Sequence, residues 1–148
     1  MAKTRVYLDN CSLNRPYDKP LTPIIQIEVV AKTYVQQQIR AGEIELAWSF
    51  ILDHEITKNP FEERKQGIIP WKLQSVAYIG PGEEVRTLAL TIRKCGIKVM
   101  DALHIACAIK ANCQYFLTTD KDVLKKQVKG IALLNPVDFV RKIEGEAK

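Results

Sequence analysis

Four carboxylates spread widely along the chain are the residues best suited to chemistry: Asp9, Glu55, Asp101 and Asp120. Asp9 closes the strand-like run TRVYLD at residues 4–9, and Asp120 closes a second, QYFLTTD at 114–120. In open parallel α/β sheets ligands gather outside the carboxyl ends of the strands, so both acids are expected at one edge. Asp101 opens an apolar helix that precedes the second of these strands, and Glu55 lies in a helix beyond Ser49. Acids brought together raise each other's pKa unless a cation compensates. A hard divalent ion, Mg²⁺ or Mn²⁺, is the natural partner of such oxygen ligands. Taken one at a time, each acid also has a plainer role. Asp9 could be a turn residue, Asp101 and Asp120 helix caps, and Glu55 an exposed helical position. Their joint placement is what favours a metal site.

The elements that must position these acids alternate. After the first strand comes the turn-rich NCSLNRPYDKP, whose prolines stop any continuation. Thr22 as N-cap and Pro23 in the first turn open a helix expected to run to about Ala41, closed by Gly42. Its apolar residues Ile24, Ile27, Val30, Ala31 and Tyr34 recur at three and four, a stripe for the core or for a dimer interface. IELAWS (44–49) predicts a second strand, followed by a helix over 50–58 that Asn59-Pro60 stops. Residues 61–75 read as helical in pieces, interrupted by Gly67 and Pro70, and VAYIG (76–80) as a short strand or a connector. A helix over 83–95 ends at Gly96, and residues 100–112, apolar on nearly every side, predict a buried helix. A short helix over 120–127, a last strand IALLN (131–135) and a closing helix complete the chain. This alternation predicts a parallel sheet with helices on both faces.

The 148 residues suit a single domain spanning 1–148. No apolar stretch approaches the roughly 20 residues needed to span a bilayer, and no secretory signal opens the chain, so a cytoplasmic protein is expected. Cys11, Cys95, Cys107 and Cys113 form no CxxC pair, which argues against zinc or redox motifs and for reduced, partly buried thiols. The net charge of +5 is weak evidence of a nucleic-acid partner. Its clustering says more. Lys58, Arg64 and Lys65 gather mid-chain, and Lys121, Lys125, Lys126 and Lys129 late, either as solvated helix faces or as tracks for a phosphate backbone.

Four segments together resemble a bacterial subgroup of the PIN-domain family. Leu8-Asp9-Asn10-Cys11-Ser12-Leu13-Asn14-Arg15-Pro16-Tyr17-Asp18 is similar to its "LDxCxLNRPFD" opening. Asp53-His54-Glu55-Ile56-Thr57-Lys58-Asn59-Pro60 is similar to "YEIxxNP", with Arg64 matching the arginine shortly after. Met100-Asp101-Ala102-Leu103-His104-Ile105-Ala106 resembles "DALHLA", and Leu117-Thr118-Thr119-Asp120-Lys121-Asp122 resembles "LTTDxD". The matches fall in order from about residue 5 to residue 140.

The resemblance implies a three-layer α/β/α sandwich with a mostly parallel five-stranded sheet. It implies Asp9, Glu55, Asp101 and Asp120 as both catalytic acids and metal ligands, with Asp9 and Asp101 holding the principal ion. Asp122 is auxiliary, as is a hydroxyl at Thr118 or Thr119 that holds a carboxylate or a water. His104, one helical turn from Asp101, could face the pocket, though a packed helix residue is the plainer reading. The implied activity is that of a Mg²⁺- or Mn²⁺-dependent endoribonuclease, leaving a 5′ phosphate and a 3′ hydroxyl. Single-stranded or looped RNA would suit a narrow acidic pocket. Arg15, Lys58, Arg64 and Lys121 are the candidate phosphate contacts; Tyr7, Tyr17, Trp48 and Phe61 offer little base stacking. Many members resemble toxins of VapBC-like toxin–antitoxin pairs, so an antitoxin partner and a homodimer are both expected possibilities. A catalytically silent RNA-binding or scaffold domain is the alternative, against which the four intact acids argue. A haloacid-dehalogenase-like phosphatase would want an acid where Cys11 stands, and a receiver domain lacks its phosphoacceptor pattern here.

Overall fold

The computed structural model describes residues 3–9 and 22–146. The 10–20 turn region with Cys11, Arg15 and Tyr17, and the side chain of Arg64, lie outside the described residues. Among the described residues there are five strands: β1 (Arg5–Leu8), β2 (Glu45–Ser49), β3 (Ala77–Ile79), β4 (Tyr115–Leu117) and β5 (Ala132–Leu134). Seven helices accompany them among the described residues: α1 (Pro23–Arg40), α2 (Phe50–Lys58), α3 (Glu62–Gln74), α4 (Glu83–Arg93), α5 (Val99–Lys110), α6 (Lys121–Leu124) and α7 (Pro136–Glu146).

The strands form one sheet in the order β3-β2-β1-β4-β5, and every pairing is parallel. Consecutive residues Val6, Tyr7 and Leu8 of β1 are buried, as are Leu46, Ala47 and Trp48 of β2. Successive side chains point to opposite faces, so such runs require cover on both sides, and helices supply it. The result is the three-layer α/β/α sandwich. The chain builds outward from β1 to β2 and β3, then returns to lay β4 on the other side of β1. The switch in direction therefore falls between β1 and β4, the crevice where open α/β sheets take their ligands.

Local signals set most boundaries. Thr22 caps α1, its hydroxyl accepting from the Ile25 N–H at 3.3 Å, and Ser49 caps α2 through the Leu52 N–H at 3.4 Å. VAYIG resolves to the edge strand β3. Two expectations are corrected and a third is narrowed. Residues 62–74 form one continuous helix despite Gly67 and Pro70, because Ile68 and Trp71 anchor it in the core and Arg40 lies 4.8 Å over the Trp71 ring. The strand expected over 114–120 is three residues long, ending at Leu117. Of the two roles open to the stripe of α1, core packing holds only for Ala31: Ile24, Ile27 and Val30 are 63%, 51% and 69% exposed, and Val35 and Ile39 continue the buried face instead. Cys107 and Cys113 are free and buried, and burial pushes their thiols up to about 11 and about 12. No helix among the described residues is long and apolar enough to cross a membrane.

Candidate active site

Asp9 follows directly on β1, and its backbone N–H donates to Leu117 O of β4 at 3.3 Å. Its carboxylate is 8% exposed, and Oδ2 accepts the Thr118 hydroxyl at 2.5 Å. The same hydroxyl oxygen accepts the Asp120 N–H at 3.0 Å. Of the two threonines singled out, Thr118 is thus the one that holds a carboxylate. Asp120 caps α6, Oδ1 accepting from Asp122 N at 2.9 Å and Val123 N at 3.4 Å, so the plain capping role and a place at the switch point coincide. Its Oδ2 accepts from no other described residue.

Asp101 stands in the first turn of α5 and is not its cap, a position held by Lys98. Its side chain makes no hydrogen bond or ion pair with another described residue. Burial is the first cause that lifts its carboxyl above the ordinary carboxylate range. The charge of Asp120 comes next, His104 pulls the other way, and Asp9 and Glu55 add to the rise. The four acids therefore share one electrostatic field although they come from four segments of the chain.

Glu55 sits on α2, where its Oε1 meets Nε2 of His104 in a short contact. His104 is 3% exposed, and its Nδ1 lies 2.6 Å from the Tyr7 hydroxyl, which in turn lies 2.6 Å from Ser49 Oγ. The neighbouring acid Asp53 is occupied elsewhere. It accepts from Trp48 Nε1 at 2.9 Å, Tyr78 Oη at 2.7 Å and Lys72 Nζ at 3.1 Å. Burial alone would raise the Asp53 carboxyl, but these donors outweigh it and hold it below its ordinary value.

A cavity of about 200 Å³ is lined by Asp101, Asp120 and Asp122 together with Lys98, Lys125 and Lys126. Gly96 forms part of its wall, at φ +90, and a side chain there would meet Lys126 Nζ at 2.9 Å. The missing Cβ is what lets the Lys126 ammonium fold across the wall. Among the described residues none of these three lysines has a carboxylate partner within ion-pair distance. Lys58 and Lys121 are exposed and do not line this cavity. Sequence reasoning missed Lys98, for which proximity to Asp101 was the available signal, and discounted His104, whose spacing of three from Asp101 had pointed inward.

Among the described residues no three of His, Cys, Asp and Glu are gathered closely enough to ligate one ion. Of the four acids, Asp101 and Asp120 line the cavity, while Asp9 accepts from Thr118 and Glu55 meets His104. Mg²⁺ keeps several waters and is usually bound by one or two carboxylates, so this donor set fits a hard, partly hydrated ion.

The PIN domain model matches residues 38–129, more than half of the chain. The chain belongs to the PIN domain family. PIN domains are generally nucleases. The matched span contains Glu55, Asp101 and Asp120, and Asp9 precedes it. No curated protein matches the sequence. Among solved structures, VapBC2 from Rickettsia felis, bound to a DNA fragment from its promoter, is similar to this PIN domain with a TM-score of 0.56. The match covers 89% of this chain and 98% of that chain at 15% identity, a likeness of fold.

Proposed function

We propose that this PIN domain is a divalent-metal-dependent endoribonuclease. The observation that carries the reading is the convergence of Asp101 and Asp120 on one cavity, where burial first and then the charge of Asp120, with Asp9 and Glu55 adding to it, raise the Asp101 carboxyl. A cluster of acids that raise one another is destabilising unless a cation offsets it. In this reading Asp101 and Asp120 hold a Mg²⁺ or Mn²⁺ ion directly, and Asp9 and Glu55 complete the shell through water. The family resemblance gives the principal ion to Asp9 and Asp101; the present reading favours Asp101 and Asp120 because these two line the cavity, while Asp9 Oδ2 accepts the Thr118 hydroxyl. When bound, such an ion supplies Lewis acidity toward water and the phosphate.

The chain's own residues do the rest. Thr118 orients Asp9, and the capping bonds at Asp120 Oδ1 leave Oδ2 for the cavity. Lys98, Lys125 and Lys126 supply positive charge on the same wall as the acids, suited to backbone phosphates of single-stranded or looped RNA. Asp122 lines that wall as an auxiliary acid. Lys58 and Lys121, exposed elsewhere, are the outer phosphate contacts.

A protein partner is a second element of this reading, favoured by the exposed Ile24, Ile27 and Val30 on α1. Beside them runs an apolar groove between α1 and α7, lined by Ile27, Val30, Tyr34, Val137 and Val140. Exposed apolar surface of this kind marks an interaction site. An antitoxin helix is the favoured occupant, by analogy with the VapBC2 assembly.

The deciding experiment is cleavage of single-stranded RNA with Mn²⁺ or Mg²⁺ by wild type, Asp9→Asn and Asp101→Asn. Cleavage abolished by chelation and by both substitutions supports the nuclease. RNA binding with no metal-dependent cleavage in any of the three would instead support a silent RNA-binding domain.

A further inference from the structure

His104 is almost wholly buried on the polar side of the core, yet both ring nitrogens have partners. The contacts form a chain: Ser49 Oγ to Tyr7 Oη at 2.6 Å, Tyr7 Oη to His104 Nδ1 at 2.6 Å, and His104 Nε2 to Glu55 Oε1. Its members come from β2, β1, α5 and α2. Three of those elements also carry or directly precede one of the four acids: Asp9 after β1, Glu55 on α2 and Asp101 on α5.

Proton bookkeeping gives the chain a direction. An ionised carboxylate only accepts, so Nε2 must donate to Glu55. A neutral ring with its proton on Nε2 presents a lone pair at Nδ1, which accepts the Tyr7 hydroxyl proton. The Tyr7 oxygen then accepts from Ser49. Every buried donor has an acceptor in this arrangement, and the chain points at Glu55.

We propose that His104 is a positioning residue. Its Nε2–H holds the Glu55 carboxylate in the field of Asp101, while Tyr7 and Ser49 lock the ring in the required tautomer. The inference rests on Glu55 belonging to the nuclease site proposed above. A histidine that merely filled space would need only its shape. A positioning histidine needs a donor where Nε2 stands.

That difference is testable with two variants of similar size. The Gln side chain can place its amide nitrogen near the position of Nε2, and Asn can place its own only near Nδ1. His104→Asn is expected to weaken both Mn²⁺ affinity and kcat by about 10–100-fold, the usual cost of losing a group that orients a ligating carboxylate. His104→Gln is expected to recover most of that loss, and thermal melts that agree between the variants exclude a folding defect as the cause. In long-range ¹H–¹⁵N spectra of the metal-free wild type, the His104 proton is expected on Nε2, with a resonance that moves in Glu55→Gln. A proton on Nδ1 alone, or equal behaviour of the Asn and Gln variants in Mn²⁺ affinity and kcat, would overturn the proposal. Glu55→Gln separates the two levels. If it is inactive while His104→Asn is fully active, the positioning role fails alone; if it matches wild type, the four-acid reading fails with it.

Discussion

Thr118 donates its hydroxyl to Asp9 Oδ2 at 2.5 Å across 109 positions of sequence, and both groups are buried. Because Thr118 Oγ1 also accepts the Asp120 N–H, one side chain sets the spacing of two acids. Thr118→Val keeps the shape and removes the hydroxyl. It removes the hydroxyl that donates to the buried Asp9 carboxylate and accepts from the Asp120 N–H, at a cost of about 1–3 kcal/mol. Urea unfolding should show that loss, RNA cleavage should fall about 10–100-fold, and Thr118→Ser should restore much of both. A Val variant equal to wild type in both assays would remove Thr118 from the site.

Asp101 predicts a pH dependence of stability. Its folded-state pKa lies above the unfolded value, with burial the first cause and Asp120 the next. The folded protein therefore binds the extra proton. The stabilisation from this group is present below the unfolded pKa of about 4 and is lost as pH rises through the folded value. Metal-free Asp101→Asn should melt higher than metal-free wild type at neutral pH, and the gap should close below about pH 4. Mn²⁺ should raise the melting point of wild type and leave that of the variant nearly unmoved. A variant that melts lower at neutral pH would contradict the crowded-acid account.

The lysine wall predicts how RNA binding responds to salt. Each phosphate contact with a single strand contributes about 0.7 to the slope of log affinity against log salt. Lys98→Gln, Lys125→Gln and Lys126→Gln should each flatten the slope by roughly that amount. Gly96→Ala should act like a partial Lys126 variant, since its new Cβ would stand 2.9 Å from Lys126 Nζ. Lys110→Gln serves as a control, because Lys110 already pairs with Glu84 at 3.3 Å near the far end of α5. Slopes unchanged in all three cavity variants would place the RNA elsewhere.

Asp53 should prove structural although only one residue separates it from Glu55. Asp53→Ala strips the Trp48 indole N–H of its acceptor and breaks the Lys72 pair, an expected loss of about 1–3 kcal/mol in thermal or urea unfolding. Tyr78, whose hydroxyl the hydrogen bond to Asp53 pushes up to about 12, should then titrate nearer 10 in an ultraviolet titration. An unshifted Tyr78 would show that another group sets its pKa.

Much of the fold was legible because its signals are local. Thr22-Pro23 opens α1, Asn59-Pro60 closes α2, Gly96 follows α4, and the apolar run from Val99 to Lys110 is a buried helix. The misreadings share one cause. Continuity through Pro70 depends on what Ile68 and Trp71 pack against, and the outward turn of Ile24, Ile27 and Val30 depends on which face of α1 the sheet covers. Neither is written in neighbouring residues.

The four acids were legible for a related reason. A carboxylate at a strand end, at a cap or in a first helical turn is a local event, as for Asp9, Asp120 and Asp101, whereas Glu55, within α2, was legible only from its motif spacing. By itself the sequence determined which residues sit at element ends and which oxygen donors they carry. The tertiary structure decided the strand order that places β1 beside β4, and hence that Thr118 reaches Asp9 while His104 reaches Glu55. Those bonds join residues 109 and 49 positions apart, and such pairings form only when burial of the strands has brought distant segments together.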